Sequence, residues 1–117
     1  FAKLPATKDD PGGYDHNFVV NGAAGTLREC AVVTSPRTGI AMTVSSDQPG
    51  IQFYSGNFLD GVPGKNGAVY AKNDGLCLET QAFPDSINKQ GKPGWPDVVL
   101  RPGKAYRHEM VHAFTAR

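Results

Sequence analysis

The sequence is poor in cysteine and has no excess of charge of one sign. Its 117 residues include 2 Cys, and 12 Lys and Arg stand against 11 Asp and Glu, for a net charge of +1. Two cysteines are too few for a disulfide scaffold, so Cys30 and Cys77 are each predicted to be buried free thiols. The balanced charge excludes the basic footprint that nucleic-acid binding requires, and no nucleic-acid partner is expected.

Long apolar runs are also absent. No stretch approaches the length that crosses a membrane, and nothing resembles a signal peptide. No membrane partner is therefore expected. The sequence does not itself specify a compartment, and the cytoplasm is the expected location. The first residue is Phe1 rather than Met, which predicts that the start of the protein is missing, cleaved or held elsewhere.

The common catalytic fingerprints are missing. There is no Gly-x-Ser-x-Gly elbow, P-loop, glycine-rich dinucleotide motif or His-Glu-x-x-His pair. No cofactor and no metal ion are expected. His108 and His112 share one face of the last predicted strand, at a spacing that helical metal sites use. In a strand this spacing places them too far apart for one ion, and two partly exposed histidines are the expected outcome.

What the sequence does contain is 14 Gly and 9 Pro. No window shows the apolar period of a helix, so an all-β fold in one domain is predicted. Pro49 and Gly50 suit the centre of a type II turn. Residues 55–74 read as one long ordered loop. Residues 1–14 and 84–97 read as irregular. Strands are predicted at 14–20, 27–34, 40–46, 51–54, 76–81 and 105–114.

The most informative stretch is 75–85. Leu76, Leu78 and Thr80 alternate with Cys77, Glu79 and Gln81, which predicts a strand that ends at Phe83-Pro84. A carboxylate held near a strand end is a candidate general base. The bland alternative is a glutamate on an edge strand that faces water.

Further polar residues are predicted at strand ends. Carboxylates and carboxamides bind sugar hydroxyls, and aromatic rings cover apolar sugar faces. The sequence therefore favours a carbohydrate site, although it does not show that these residues converge. The polar candidates are Asp15, His16, Gln52, Asn57, Glu79 and Gln81, and the aromatic candidates are Tyr54, Phe83 and Trp95.

Five blocks in order resemble the aldose 1-epimerase family, the galactose mutarotases. They cover residues 12–18, 49–59, 64–70, 77–85 and 100–106, and the similarity spans nearly all of the chain. The resemblance implies an antiparallel β-sandwich, the galactose mutarotase-like supersandwich, whose concave face holds the sugar. Residues 1–117 would be the C-terminal part of that single domain, with no domain boundary inside the chain.

The resemblance also implies roles for matching residues. Glu79 falls on the catalytic base, Asp15 on a carboxylate that holds sugar hydroxyls, and Gln52 on a further sugar-binding residue. The implied activity interconverts the α and β anomers of aldohexoses such as galactose and glucose by acid–base ring opening. The general acid of the family is a histidine from the preceding half of the fold. His16, His108 and His112 do not fall on its position.

Two readings of the missing acid stay open. In one, an upstream segment or a second chain supplies the N-terminal remainder of the fold and completes the enzyme, because a partial sandwich leaves open strand edges and an uncovered apolar face. In the other, the chain is a non-catalytic sugar-binding or structural relative of the mutarotases. A histidine at the acid position would favour the enzyme.

Overall fold

The computed structural model describes residues 11–116, which form strands, turns, irregular segments and two short 3-10 helices. No α-helix occurs among these residues, and none of their helices is long and apolar enough to cross a membrane. The prediction of an all-β chain is confirmed. The elements are strands β1 (Asp15–Val19), β2 (Arg28–Thr34), β3 (Ile40–Ser46), β4 (Gly50–Tyr54), β5 (Val62–Pro63), β6 (Val69–Tyr70), β7 (Cys77–Gln81) and β8 (Met110–Ala116), with 3-10 helices at Lys65–Gly67 and Ser86–Lys89.

The chain divides into two compact units. Among the described residues, unit 1 comprises 11–16 and 52–79, and unit 2 comprises 17–51 and 80–116. Strands β1, β4 and β7 form a sheet in that order, with β4 in the centre. The division between the units runs through these three strands, and residues 15, 52 and 79 all belong to unit 1. Of the irregular segment predicted for residues 1–14, residues 1–10 lie outside the described residues.

Unit 2 contains a second sheet, in the order β2-β3-β8, whose strands are antiparallel. The predicted hairpin between β2 and β3 is confirmed, and its turn is closed by a hydrogen bond from Ser35 N–H to the Ile40 carbonyl at 2.9 Å. Val44, at the centre of β3, is fully buried. It lies on the same strand face as Ile40 and Met42, as the alternation in the sequence predicts.

The predicted start of the last strand is wrong. The strand begins at Met110 rather than near residue 105, because Met110 pairs with Ser46 and β3 ends there. Residues 105–109 therefore lack a ladder partner in β3. Glu109 instead accepts a hydrogen bond at its carbonyl from Asp47 N–H at 3.2 Å. His108 accordingly lies outside the strand that holds His112, and the two do not share a strand face.

The predicted type II turn at Pro49-Gly50 is also wrong. Gly50 is the first residue of β4 and does not have a positive φ, whereas a type II turn requires one. The glycine serves close packing instead. A Cβ at this position would lie 2.6 Å from Asn17 Oδ1 and 3.0 Å from the Phe83 ring.

The loop predicted for residues 55–74 contains a small hairpin. Strands β5 and β6 pair antiparallel, Val62 with Tyr70 and Pro63 with Val69. Two-residue strands show no alternation that sequence reading could detect. Similarly, residues 84–97 are irregular apart from the 3-10 helix Ser86–Lys89.

Arg28 organises the turns of unit 2. Its guanidinium donates to the carbonyls of Asn21 at 2.8 Å, Gln48 at 3.0 Å and Ser46 at 3.2 Å. Two further carbonyls, of Thr26 and Val20, lie at 3.1 and 3.5 Å. A guanidinium has five donors in a fixed fork, which suits it to satisfy several backbone carbonyls at once. Arg28 thereby ties the ends of β2 and β3 to the segments before β2 and after β3.

Candidate functional site

Asp15 and Gln52 are in direct contact, although 37 positions separate them in the sequence. Gln52 Nε2 donates a hydrogen bond of 2.7 Å to Asp15 Oδ1. Asp15 is the first residue of β1 and Gln52 lies in the middle of β4, the neighbouring strand. The contact places both side chains on the same face of the sheet.

The oxygen of the Gln52 carboxamide has no hydrogen-bond partner among residues 11–116. Gln52 Oε1 is buried and accepts no hydrogen bond from the described residues. A buried acceptor without a donor costs about 1–3 kcal/mol, so an unsatisfied group needs an explanation such as a missing ligand or water. The carboxylate of Asp15 keeps its second oxygen available as well. Asp15 is exposed, so this second oxygen can accept a hydrogen bond from a hydroxyl group.

Glu79 lies on β7, next to the strand that holds Gln52. Its side chain is exposed and makes no hydrogen bond or ion pair within residues 11–116. In the described sheet β7 is an edge strand. This agrees with the alternative prediction that Glu79 is a glutamate on an edge strand that faces water. An exposed and unpaired carboxylate is nevertheless free to accept a proton, which a base requires.

Beneath this face lies a buried polar cluster that fixes the end of β4. Ser55 is fully buried, and its hydroxyl donates to Asn57 Oδ1 at 2.6 Å. Asn57 Nδ2 donates to the Tyr14 carbonyl at 2.8 Å, and Tyr14 N–H donates to Ser55 Oγ at 2.8 Å. Both ends of the Asn57 side chain are therefore satisfied, and the residue is 5% exposed. The interpretation of Asn57 as a candidate ligand-binding residue is wrong, because its role is structural.

The three histidines have separate surroundings. The Nδ1 atom of His16 accepts a hydrogen bond from Asp15 N–H at 3.0 Å, and the ring meets Tyr14 edge-on at 6.0 Å. In unit 2, His108 Nε2 lies 2.9 Å from Thr80 Oγ1 and 3.3 Å from Ser46 Oγ. His112 is exposed on β8 opposite Val44. No group of three possible metal ligands occurs among residues 11–116.

The cysteine prediction is partly wrong. Both cysteines are free, but Cys77 is exposed and Cys30 is half-buried. Cys30 Sγ donates to the Arg28 carbonyl at 3.3 Å. Cys77 lies at the start of β7, one of the two edge strands of its sheet.

The aromatic candidates belong to different units. Tyr54 of unit 1 stacks on Phe58, with ring centroids 6.5 Å apart and an interplanar angle of 15°. Phe83 and Trp95 of unit 2 form an edge-to-face pair at 5.7 Å. Sequence reading did not select Phe58, because the segment after β4 shows no period. Its exposed fraction of 66% is visible only in the structure.

Three carboxyl groups outside the predicted site have a lowered pKa. A hydrogen bond from the Asn88 amide, with Lys89 next to it, lowers the pKa of Asp85. The backbone N–H of Val99, followed by Arg101, lowers the pKa of Asp97. For Asp47, partial burial acts to raise the pKa, but the combined effect of hydrogen bonds, first from Gln48, and of His108 lowers it. All three stay ionised at neutral pH and stabilise turns.

A cleft of about 730 Å³ lies within unit 2, and none of the predicted site residues lines it. Its walls include Asp47, Lys104 and Tyr106. Tyr106 is 70% exposed. The volume of the cleft alone does not identify a ligand, whereas the face with Asp15 and Gln52 has an unsatisfied acceptor.

The described residues thus form an all-β chain in which a carboxylate and a carboxamide from neighbouring strands are hydrogen-bonded. The family model for aldose 1-epimerase matches residues 1–113. The chain belongs to the aldose 1-epimerase family, and the resemblance identified from the sequence is confirmed.

Curated relatives support this assignment. The chain is 50% identical to galactose mutarotase of Homo sapiens over 104 residues, which are 88% of this chain and 29% of the relative. It is 42% identical to aldose 1-epimerase of Haemophilus influenzae over 95 residues, 81% of this chain and 27% of the relative. With aldose 1-epimerase of Escherichia coli the identity is 39% over 106 residues, 89% of this chain and 30% of the relative. The chain thus spans less than a third of the length of these relatives.

Proposed function

We propose that this chain is the C-terminal part of an aldose 1-epimerase that interconverts the α and β anomers of aldohexoses such as galactose and glucose. The observation that supports the proposal most directly is the Asp15–Gln52 hydrogen bond, which leaves Gln52 Oε1 buried without a donor. A sugar hydroxyl would donate to the exposed Asp15 carboxylate, which Gln52 orients, and the Gln52 carboxamide would complete the binding of the sugar. Names of the relatives supply the reaction class.

In the proposed reaction Glu79 is the general base. It takes the proton from the anomeric hydroxyl while an acid protonates the ring oxygen, so that the C1–O5 bond breaks and an open-chain aldehyde forms. Rotation about C1–C2 and closure of the ring on the other face of the carbonyl give the second anomer. Asp15 and Gln52 hold hydroxyl groups and thereby keep the reacting carbon in place. The base and the acid need opposite protonation states at the same pH.

The proposal places the acid outside this chain, on a histidine of the N-terminal remainder of the fold. That remainder is supplied by an upstream segment or by a second chain. Support comes from the length of the relatives and from the exposed apolar residues on one face of the β2-β3-β8 sheet. Ile40, Met110 and Phe114 are 48%, 45% and 66% exposed, and apolar side chains so grouped mark a surface that another element covers.

We therefore expect the active protein from its natural source to contain more than this chain. A mass spectrum under denaturing conditions should show a 12.5 kDa species with a larger companion, or one longer polypeptide that includes this sequence. By the same argument, the isolated chain should aggregate or dimerise and should not speed mutarotation. A monodisperse 12.5 kDa monomer that accelerates mutarotation above the buffer rate would contradict this part of the proposal.

A second candidate function is a non-catalytic protein that binds sugar. The observation in its favour is that Glu79 is an exposed residue on an edge strand, while the Asp15–Gln52 pair would serve binding alone. The residue at the acid position of the complete protein discriminates the two functions. A histidine there favours the enzyme, and another residue favours binding. The cytoplasmic location stays a prediction.

In the complete protein, we expect Asp15→Ala to raise the KM for galactose by about 10–150-fold, because a hydrogen bond to a charged group contributes about 1.5–3 kcal/mol. Asp15→Asn should raise it less, because the amide keeps one acceptor oxygen. Polarimetry on fresh α-galactose measures both effects, and Asp60→Ala, which removes another exposed carboxylate of unit 1, is the matched control. If Asp15→Ala left KM and kcat within error of the parent, the assigned site would be wrong.

A further inference from the structure

Phe58 is a large apolar side chain that the structure holds in an exposed position. The residue is 66% exposed and lies in the turn that follows β4. Single exposed apolar residues are common on protein surfaces and need no explanation by themselves. Phe58 differs from such residues because both its ring and its backbone are fixed.

The backbone of the turn is fixed by buried polar contacts. Ser55 and Asn57, on either side of Gly56, are 0% and 5% exposed, and their side chains are joined by a hydrogen bond. Asn73 also binds this turn. Its Nδ2 donates to the Ser55 carbonyl at 2.6 Å, and its N–H donates to the Gly56 carbonyl at 3.0 Å. The turn therefore presents the residue that follows Asn57 in one defined position.

The ring of Phe58 is fixed by Tyr54. The two rings are nearly parallel, at 15°, with centroids 6.5 Å apart. The Tyr54 hydroxyl also accepts a hydrogen bond from Phe58 N–H at 2.9 Å. Tyr54 follows Gln52 by two residues in β4, so both side chains leave the strand on the same face. Phe58 thus stacks on a ring that leaves β4 on the same face as Gln52.

We propose that Phe58 is a substrate-binding residue whose ring stacks on the apolar face of the sugar that Asp15 and Gln52 hold by its hydroxyls. The ligand class is a pyranose with several C–H bonds on one ring face, such as galactose, where C3–H, C4–H and C5–H share a face. An aromatic ring beside polar side chains suits such a ligand, because the apolar face needs contact while the hydroxyls need hydrogen bonds. The inference rests on the function proposed above and adds a residue that the sequence analysis did not select.

The test uses the full-length polypeptide that contains this chain, with galactose as the ligand. Phe58→Ala should raise the KM for galactose by about tenfold, with kcat nearly unchanged and the urea midpoint of unfolding unchanged, because stacking acts on bound sugar rather than on the fold. Phe58→Tyr should retain the parent KM. Val69→Ala is the control, since Val69 is a 64% exposed apolar residue of the same unit.

Phe58→Leu separates stacking from packing. Leucine keeps an apolar side chain but has no flat ring, so KM should stay raised in this variant. If leucine restores the parent KM, or if the alanine variant loses stability without a change in KM, Phe58 packs against protein and the inference is overturned. An unchanged KM in Phe58→Ala also overturns it. A Glu79→Gln variant measured alongside keeps the two proposals apart, because its turnover tests the proposed function independently of Phe58.

Discussion

Glu79→Gln is expected to lower kcat for galactose mutarotation by about 10²–10⁴-fold, the usual contribution of a general base. Glutamine keeps the shape and hydrogen-bonding reach of the side chain but cannot take a proton. Affinity for galactose should change far less, because a loss confined to kcat marks an interaction made in the transition state. Stopped-flow polarimetry over a range of galactose concentrations in the complete protein separates the two effects.

Glu29→Gln is the matched control, since Glu29 is an exposed glutamate on a strand of unit 2. It should leave kcat unchanged. The bland alternative of an exposed edge-strand glutamate predicts no change in rate and a stability change within about 0.5 kcal/mol. A folded Glu79→Gln protein with the parent rate would remove Glu79 from the mechanism.

Gly56→Ala is expected to lower the free energy of unfolding by about 2–5 kcal/mol, because left-handed backbone strain and a steric clash add together. Gly56 has a φ of +67°, and a Cβ there would lie 2.5 Å from the Gly75 carbonyl oxygen. A backbone oxygen cannot move aside as a flexible side chain can. Urea denaturation of the complete protein measures the loss.

Gly61→Ala provides the control for the strain alone. Gly61 has a similar φ of +63°, but a Cβ there would meet nothing within 4 Å. Its expected cost is therefore about 1–2 kcal/mol, from the left-handed conformation only. Equal losses in the two variants would show that the approach of Gly75 to Gly56 does not constrain the turn. The inference that Phe58 binds substrate would then lose one of its premises, the fixed backbone of the turn.

Most of the strands could be predicted because their alternation is regular. The predicted strand 40–46 has the bounds of β3, and the hairpin with β2 follows from the turn between them. The start of β8 could not be predicted, because it depends on where the partner strand ends, at Ser46. Gly50 shows the same limit, since Asn17 and Phe83 determine why a glycine is needed there.

The site could be predicted only in part. Alternation placed both Glu79 and Gln52 within strands, but no local pattern shows that Gln52 reaches Asp15 on the neighbouring strand. The family resemblance brought these residues together, and the hydrogen bond then gives the pairing a physical basis. Asn57 was misread because a buried carboxamide and a ligand-binding one look alike in sequence. Phe58 was missed because exposure is a property of the folded turn.

The central proposal is that Asp15, Gln52 and Glu79 take part in the exchange between sugar anomers. Magnetisation-exchange NMR measures this directly, as the rate at which α-galactose and β-galactose interconvert at equilibrium in the presence of the complete protein. The account predicts exchange far above the buffer rate for the parent and near the buffer rate for Glu79→Gln, although saturation-transfer signals show that the variant still binds galactose. Parent protein that binds galactose without accelerating exchange, or a Glu79→Gln variant that exchanges at the parent rate, would contradict it.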